Sequence, residues 1–277
     1  MSILASRIGA QRRETQFKSI SRTARLSWCR ACAEVGAVLV LIVVCAHAVG
    51  LLDAQRLAAG LADIIDLLDH SMPPDFTELN SWWLPLWDSL SMSVTATAIT
   101  VLLSAPLALL GARNTAPHPG VYWAARMVLN GLRSVPELIM AIVFVAAVGF
   151  GALPGALALG IHSAGMVGKF FAEAVEHADP APIEAARAVG STPLQVILHG
   201  VLPQVLPQMA DVTIYRWEYN FRASVVVGVV GAGGIGFQLI VALRTLQYHE
   251  VVAILLVILA TVTVVDILGG LLRKRFA

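Results

Sequence analysis

Between Val251 and Leu272 the chain carries a single charge, Asp266. A segment of that length and polarity crosses the hydrocarbon core of a bilayer, which takes about 20 apolar residues in a helix. Lipid offers no partner for backbone polar groups, so a spanning segment must satisfy its own and fold as a helix. Comparable runs lie near 33–52, 90–111, 121–150, 153–175 and 209–230. Glu34 stands at the edge of the first, and Arg126, Arg133 and Glu137 make the first half of the third polar. Only 13% of residues are charged and 57% are hydrophobic, too little charge to cover a soluble protein of this size. The expectation is an all-α polytopic membrane protein with six transmembrane helices.

Lysine and arginine placement orients such a chain. The segment 1–32 is basic (Arg7, Arg12, Arg13, Lys18, Arg22, Arg25, Arg30), and the chain ends in Arg273-Lys274-Arg275. Segment 53–88 is acidic: Asp53, Asp63, Asp66, Asp69, Asp75, Glu78 and Asp88 face only Arg56 and His70. Six crossings put both termini, Arg113 and Arg187 in the cytoplasm and 53–88 outside. Within that outer segment, Leu57, Leu61, Ile64, Ile65 and Leu68 have the spacing of an amphipathic helix. Trp82, Trp83 and Trp87 suit a membrane interface. The remaining chain, 89–277, holds five spans and a polar cytoplasmic loop at 177–207. Cys29 and Cys32 form a C-x-x-C without the βαβ context of a redox site or the second ligand pair of a zinc site. No metal site and no nucleic-acid partner are expected.

The stretch Gly231-Ala-Gly233-Gly234-Ile-Gly236 satisfies the letters of a dinucleotide fingerprint, with Glu250 near the place of its acid. Its context fails, because the neighbours are spans rather than amphipathic helices covering a sheet. A tight turn or partly re-entrant segment at the outer mouth, packed closely on its neighbours, is the expected role.

The loop 177–207 has its own logic. Ile183–Val189 reads as a short helix that Gly190 closes in a left-handed conformation. Thr192, Pro193 and Gln195 supply an N-cap, an N1 proline and a capping box for a second helix. Leu194, Ile197, Leu198 and Val201 are spaced for one apolar face, and Pro203 and Pro207 are expected to break the chain before the fifth span. An exposed, well-capped helix pair is a docking knob.

Glu184-Ala185-Ala186, three residues, Gly190, and Leu202-Pro203 resemble the EAA motif of ABC importer permeases, with Gly200 where that motif has isoleucine. Arg133-Ser134-Val135-Pro136-Glu137-Leu138, His162-Ser163-Ala164-Gly165, Tyr215-Arg216-Trp217-Glu218 with Arg222-Ala223-Ser224, and the glycine stretch are similar to phosphonate importer permeases. Permeases for phosphite, phosphate or another small solute such as methionine are the alternative. The resemblance implies a type I importer permease fold in the bacterial inner membrane. Glu184, Ala185, Ala186 and Gly190, with Leu194, Leu198 and Pro203, would couple to a partner ATPase. It implies a second permease subunit in a homodimer, two ATP-binding subunits and an extracytoplasmic substrate-binding protein, all set in membrane lipid. This chain would bind no cofactor; lacking a Walker A sequence, it would leave ATP and Mg to the partner and would not be an enzyme.

Arginine suits tetrahedral oxyanions. Arg222, Ser224, Arg216, Arg133 and Ser134 are therefore the candidates to line a substrate route. The pairs Arg133–Glu137, Glu218–Arg222 and Lys169–Glu173 are each at i, i+4, so each is expected to share a helix face.

Overall fold

The computed structural model describes residues 28 and 31–275. The basic stretch at the N-terminus, with Cys29, therefore lies almost wholly outside the described residues. Helices account for nearly all regular structure, and no strand occurs among the described residues. The chain divides into two compact units between Asp69 and His70, inside the acidic segment.

The first unit holds α1 (Ala31–Ala48) and α2 (Ala54–His70). Helix α1 is long and apolar enough to span a membrane. Asp53 starts α2 by accepting the backbone N–H groups of Gln55 and Arg56, both at 3.1 Å. Leu57, Leu61, Ile64, Ile65 and Leu68 are all exposed on it, the amphipathic stripe expected. Cys32 and Cys45 are free thiols.

The second unit comprises α3 (Trp83–Leu110), α4 (Pro119–Ser134), α5 (Glu137–Val148), α6 (Ala152–Glu176), α7 (Pro180–Ala188) and α8 (Pro193–Val196). It continues through a π turn (Ile197–Val201), α9 (Leu202–Val227), a kinked turn (Gly228–Ala232), α10 (Gly234–Arg244) and α11 (Tyr248–Arg273). Helix α6 is the central post, packed against α3, α4, α5 and α9. Small residues let it sit close: Thr100 Oγ donates to the Gly160 carbonyl across the α3–α6 contact at 3.1 Å. Ser93, Thr97, Thr100 and Ser104 all lie buried along α3, as a packing stripe does.

By length and composition, α1, α3 and α11 can each cross a membrane. The α4–α5 pair and the α8–α10 run add two crossings if each bent pair is one span. Helix α6, where a fourth span is expected, carries too many glycine and polar residues to qualify on composition. It is instead enclosed by its neighbours, with fifteen of its residues buried. The third expected span is not one continuous helix. It turns by 84° at Val135-Pro136, because proline forces the preceding residue out of the helical region; Val135 is extended, with ψ 122°.

Two further expectations are corrected. Trp82 is no interfacial residue: it is 1% exposed, in a core with Ile235, Ala242, Val251 and Ile254. Trp83 and Trp87 remain exposed. Pro203 and Pro207 do not break the chain. Leu202 N–H donates to the Ile197 carbonyl, an i−5 bond, so the helix widens by one residue before Pro203. Proline has no N–H to give; Pro203 stands in the first turn of α9, and Pro207 is carried inside the helix.

Candidate functional site

The first site is the loop end of the second unit. Asp179 caps α7 by accepting the Ala181 N–H at 2.9 Å. The helix ends in a Schellman motif: Gly190 N–H donates to the Arg187 carbonyl at 3.0 Å and Ser191 N–H to that of Ala186 at 3.2 Å. Gly190 takes φ +81°. The expected capping box opens α8, with Thr192 N–H on Gln195 Oε1 at 2.8 Å and Gln195 N–H on Thr192 Oγ1 at 3.5 Å.

Burial then sorts the faces. Ile183, Val196, Val201 and Val205 pack into one core with Val167, Phe171 and Val175 of α6. Glu184, Ala185, Gly190 and Pro203 are exposed, and Ala186 is half-buried. The face expected from Leu194, Ile197, Leu198 and Val201 does not form. Leu194 is 65% exposed and Leu198 46%, whereas Val201 is buried. The π turn is the cause, since it replaces the four-residue spacing by five and puts Val196 and Val201 on the same side. Leu194 and Leu198 instead join Val189 as apolar surface around the EAA residues. Gly200 earns its place here: a Cβ built on it would lie 3.3 Å from Ile183 Cα, so α7 reaches the helix wall where isoleucine would hold it off.

The second site is a buried polar network between α9, α6, α3 and α5. Arg216 Nε donates to Ser163 Oγ at 2.8 Å, and Ser163 donates to Asn220 Oδ1 at 2.9 Å. Asn220 Nδ2 donates to Thr97 Oγ1 at 3.0 Å. The Arg216 guanidinium lies 4.1 Å from the centre of the Tyr219 ring. The Tyr219 hydroxyl donates to Glu137 at 3.0 Å. His162 stands beside them, with Nε2 3.7 Å from Glu137 Oε2 and Nδ1 2.9 Å from the Val135 carbonyl.

The five route candidates do not converge. Arg216 faces α6, while Arg222 is bound to Asp266 of α11 at 2.9 and 3.2 Å. Ser224 is buried and donates to the Phe221 carbonyl of its own helix at 2.7 Å. Arg133 is exposed at the end of α4, and Ser134 donates to the Gly131 carbonyl at 2.8 Å. Glu218 with Arg222 and Lys169 with Glu173 do stand one turn apart on single helices, whereas the break at Val135-Pro136 parts Arg133 from Glu137; none of the three pairs forms a salt bridge among the described residues. Glu137 turns to Tyr219 and His162. Glu218 is held by Arg273 of α11, Nη1 to Oε2 and Nη2 to Oε1 both at 3.0 Å, the second off the hydrogen-bonding direction. Sequence reasoning passed over Tyr219 and Asn220. Their signal was their spacing, three and four residues after Arg216, which shares a helix face with both.

The glycine stretch forms a turn, as expected. Gly231, Gly233 and Gly234 take φ of +102°, +74° and +72°, and the helix axis bends by 59°. Ser89 Oγ accepts the Ile235 N–H at 3.0 Å, filling the first turn of α10. Gly236 lies directly on the Val225 carbonyl, with no room for a Cβ. Among the described residues no cluster of ligands could hold a metal ion.

An exposed helix pair and a buried polar seam thus sit on a scaffold of membrane-length and broken helices. Residues 104–277 match the family of binding-protein-dependent transport system inner membrane components, and the chain belongs to it. The chain is 62% identical over 261 residues to the phosphite transport system permease protein PtxC of Stutzerimonas stutzeri, covering 94% of this chain and 95% of that one. It is 42% identical over 215 residues to the phosphate-import permease protein PhnE of Mycolicibacterium smegmatis, covering 78% of this chain and 40% of that one. Among solved structures it resembles the MetNI methionine ABC transporter in inward-facing conformation. The TM-score is 0.61 at 22% identity, over 69% of this chain and 94% of that one, which speaks for the fold alone.

Proposed function

We propose that the protein is the transmembrane permease subunit of an ATP-driven importer for a small phosphorus oxyanion, phosphite or a close relative such as phosphate or a phosphonate. The observation that carries the coupling half of this reading is the knob at 180–196. Ile183 and Val196 root it in the core, while Glu184, Ala185, Val189 and Leu194 face outward. Such a surface fits a cleft on a separate subunit that hydrolyses ATP with Mg. Near-full-length similarity to a phosphite permease supports the substrate class.

In this reading two copies of the chain form the pore, because two ATPase subunits need two knobs. An external binding protein delivers the anion. The knob and both termini are cytoplasmic, and 53–88 is outside. Closure of the ATPases would move the knobs and swing the helices as rigid bodies.

Reconstitution with its ATPase and binding protein in proteoliposomes tests the proposal. ATP-dependent uptake of phosphite, phosphate and a phosphonate is measured, with methionine as control. Glu184→Lys should abolish both uptake and binding-protein-stimulated hydrolysis. Uptake of methionine alone, or full uptake by Glu184→Lys, would refute it.

A further inference from the structure

We infer that Arg216 is the oxyanion contact inside the membrane, and that Tyr219, tied to Glu137, covers it in the conformation seen here. The inference rests on the reading of the chain as an importer of phosphorus oxyanions.

Arg216 is 3% exposed and Glu218 4%; among the described residues they are the two buried charges of the second unit. Glu218 has Arg273. The other arginines drawn into the helical body have carboxylates as well: Arg126 meets Glu176 at 3.0 Å and Arg222 meets Asp266 at 2.9 Å. Arg216 has none. A guanidinium carries five N–H donors. Here Nε is used by Ser163, and Nη1 faces only the Met166 sulfur at 3.3 Å, a weak acceptor. Nη2 is buried without a partner. A buried cation without a direct ion pair is costly, and within a membrane it marks a pathway for ions or substrate.

The ring of Tyr219 holds part of the charge by cation–π attraction, which an incoming anion can replace without first breaking an ion pair. That suits transit, where binding must permit entry and also release. The free Nη2 edge offers the forked donors that a tetrahedral oxyanion accepts. Ser163, already fixed by Asn220, keeps the guanidinium in place. Tyr219, Glu137 and His162 are half-buried, so this side of the network leads toward the surface of the unit. Glu137 begins α5 directly after the 84° break. A shift of α5 against α9 would therefore pull on the Tyr219 hydroxyl and uncover the guanidinium.

The test is the number of ATP molecules hydrolysed per phosphite or phosphate imported by the complete transporter in proteoliposomes. A side chain that only supports the fold loses uptake and hydrolysis together; a transit contact loses uptake per ATP. Arg216→Gln should raise the ratio by about tenfold or more, and Arg216→Lys, which keeps charge without the fork, by about threefold. If the glutamine variant does not assemble, the lysine variant decides. Tyr219→Phe keeps the ring and removes the tie to Glu137; hydrolysis without loaded binding protein should then rise by about twofold or more. An unchanged ratio in the Arg216 variants, or a parallel fall of uptake and hydrolysis, overturns the assignment while leaving the importer reading intact. Unchanged hydrolysis in Tyr219→Phe overturns the cover. If the wild-type complex imports no phosphorus oxyanion, both readings fall.

Discussion

Gln204 grips both backbone polar groups of Asp179. The Asp179 N–H donates to Gln204 Oε1 at 2.9 Å, and Gln204 Nε2 donates back to the Asp179 carbonyl at 3.3 Å. The same Nε2 also serves the Gly200 carbonyl. One amide thus fastens the N-cap of α7 to the long helix α9. Gln204→Ala removes these bonds, at about 1 kcal/mol each. The expected result is normal insertion with a several-fold loss of uptake per ATP. Equal loss of uptake and hydrolysis would mean that the clamp only supports folding.

Gly200 separates the motif from the structure. Restoring the isoleucine of the EAA pattern places a branched side chain against the Ile183 backbone. Gly200→Ile should lower uptake by about tenfold through overpacking, whereas Gly200→Ala, with its Cβ at 3.3 Å, should stay within about twofold. Wild-type uptake by Gly200→Ile would show that α7 has another seat.

Arg273→Ala leaves the buried Glu218 carboxylate without its cation, with Gly269 pressed against it. Breaking a fully buried pair from one side costs about 3–5 kcal/mol; with the Arg273 side chain 31% exposed, the loss here should be smaller, about 1–3 kcal/mol. The double change Glu218→Met with Arg273→Met should recover much of the loss. Arg222→Ala breaks a pair whose partners are 42% and 44% exposed and should cost less than about 1 kcal/mol. Thermal unfolding in detergent ranks the variants; an Arg222 effect as large as that of Arg273 would contradict this ordering.

Two glycines make a matched control for the turn beyond α9. Gly236→Ala drives a methyl into the Val225 carbonyl, while Gly270→Ala meets nothing within 4 Å. The first should destabilise by more than about 2 kcal/mol. The second should be neutral or slightly stabilising, since alanine is the better helix former. Comparable unfolding temperatures for the two would mean that the turn relaxes freely.

What the sequence disclosed was local or hydropathic. The Gly190 closure and the Thr192–Gln195 box were readable because caps involve residues only a few positions apart. Spans were readable from their lack of charge, except α6, whose glycines and polar residues serve neighbouring helices rather than lipid. Partner choice was hidden. Spacing places Glu218 and Arg222 on one face, but their side chains reach across to Arg273 and Asp266 of α11, which no single-helix pattern contains. The π turn was hidden for a related reason: a five-residue step looks like an ordinary helix period until burial shows that Val196 and Val201, not Ile197 and Val201, lie together. Trp82 looked interfacial by type, and only the packing of α10 and α11 over it made it core.

Helix α9 is bracketed by two departures from α geometry, the π turn at Ile197–Val201 and the kink at Gly228–Ala232, where Gly231 leaves the helical region. The π turn carries one residue more than an α-helix there would. Arg216 and Tyr219 lie on the regular stretch between them. The three-residue step that sets one beside Ser163 and the other beside Glu137 is therefore that of an unbroken α-helix, with the irregularities kept to its two ends.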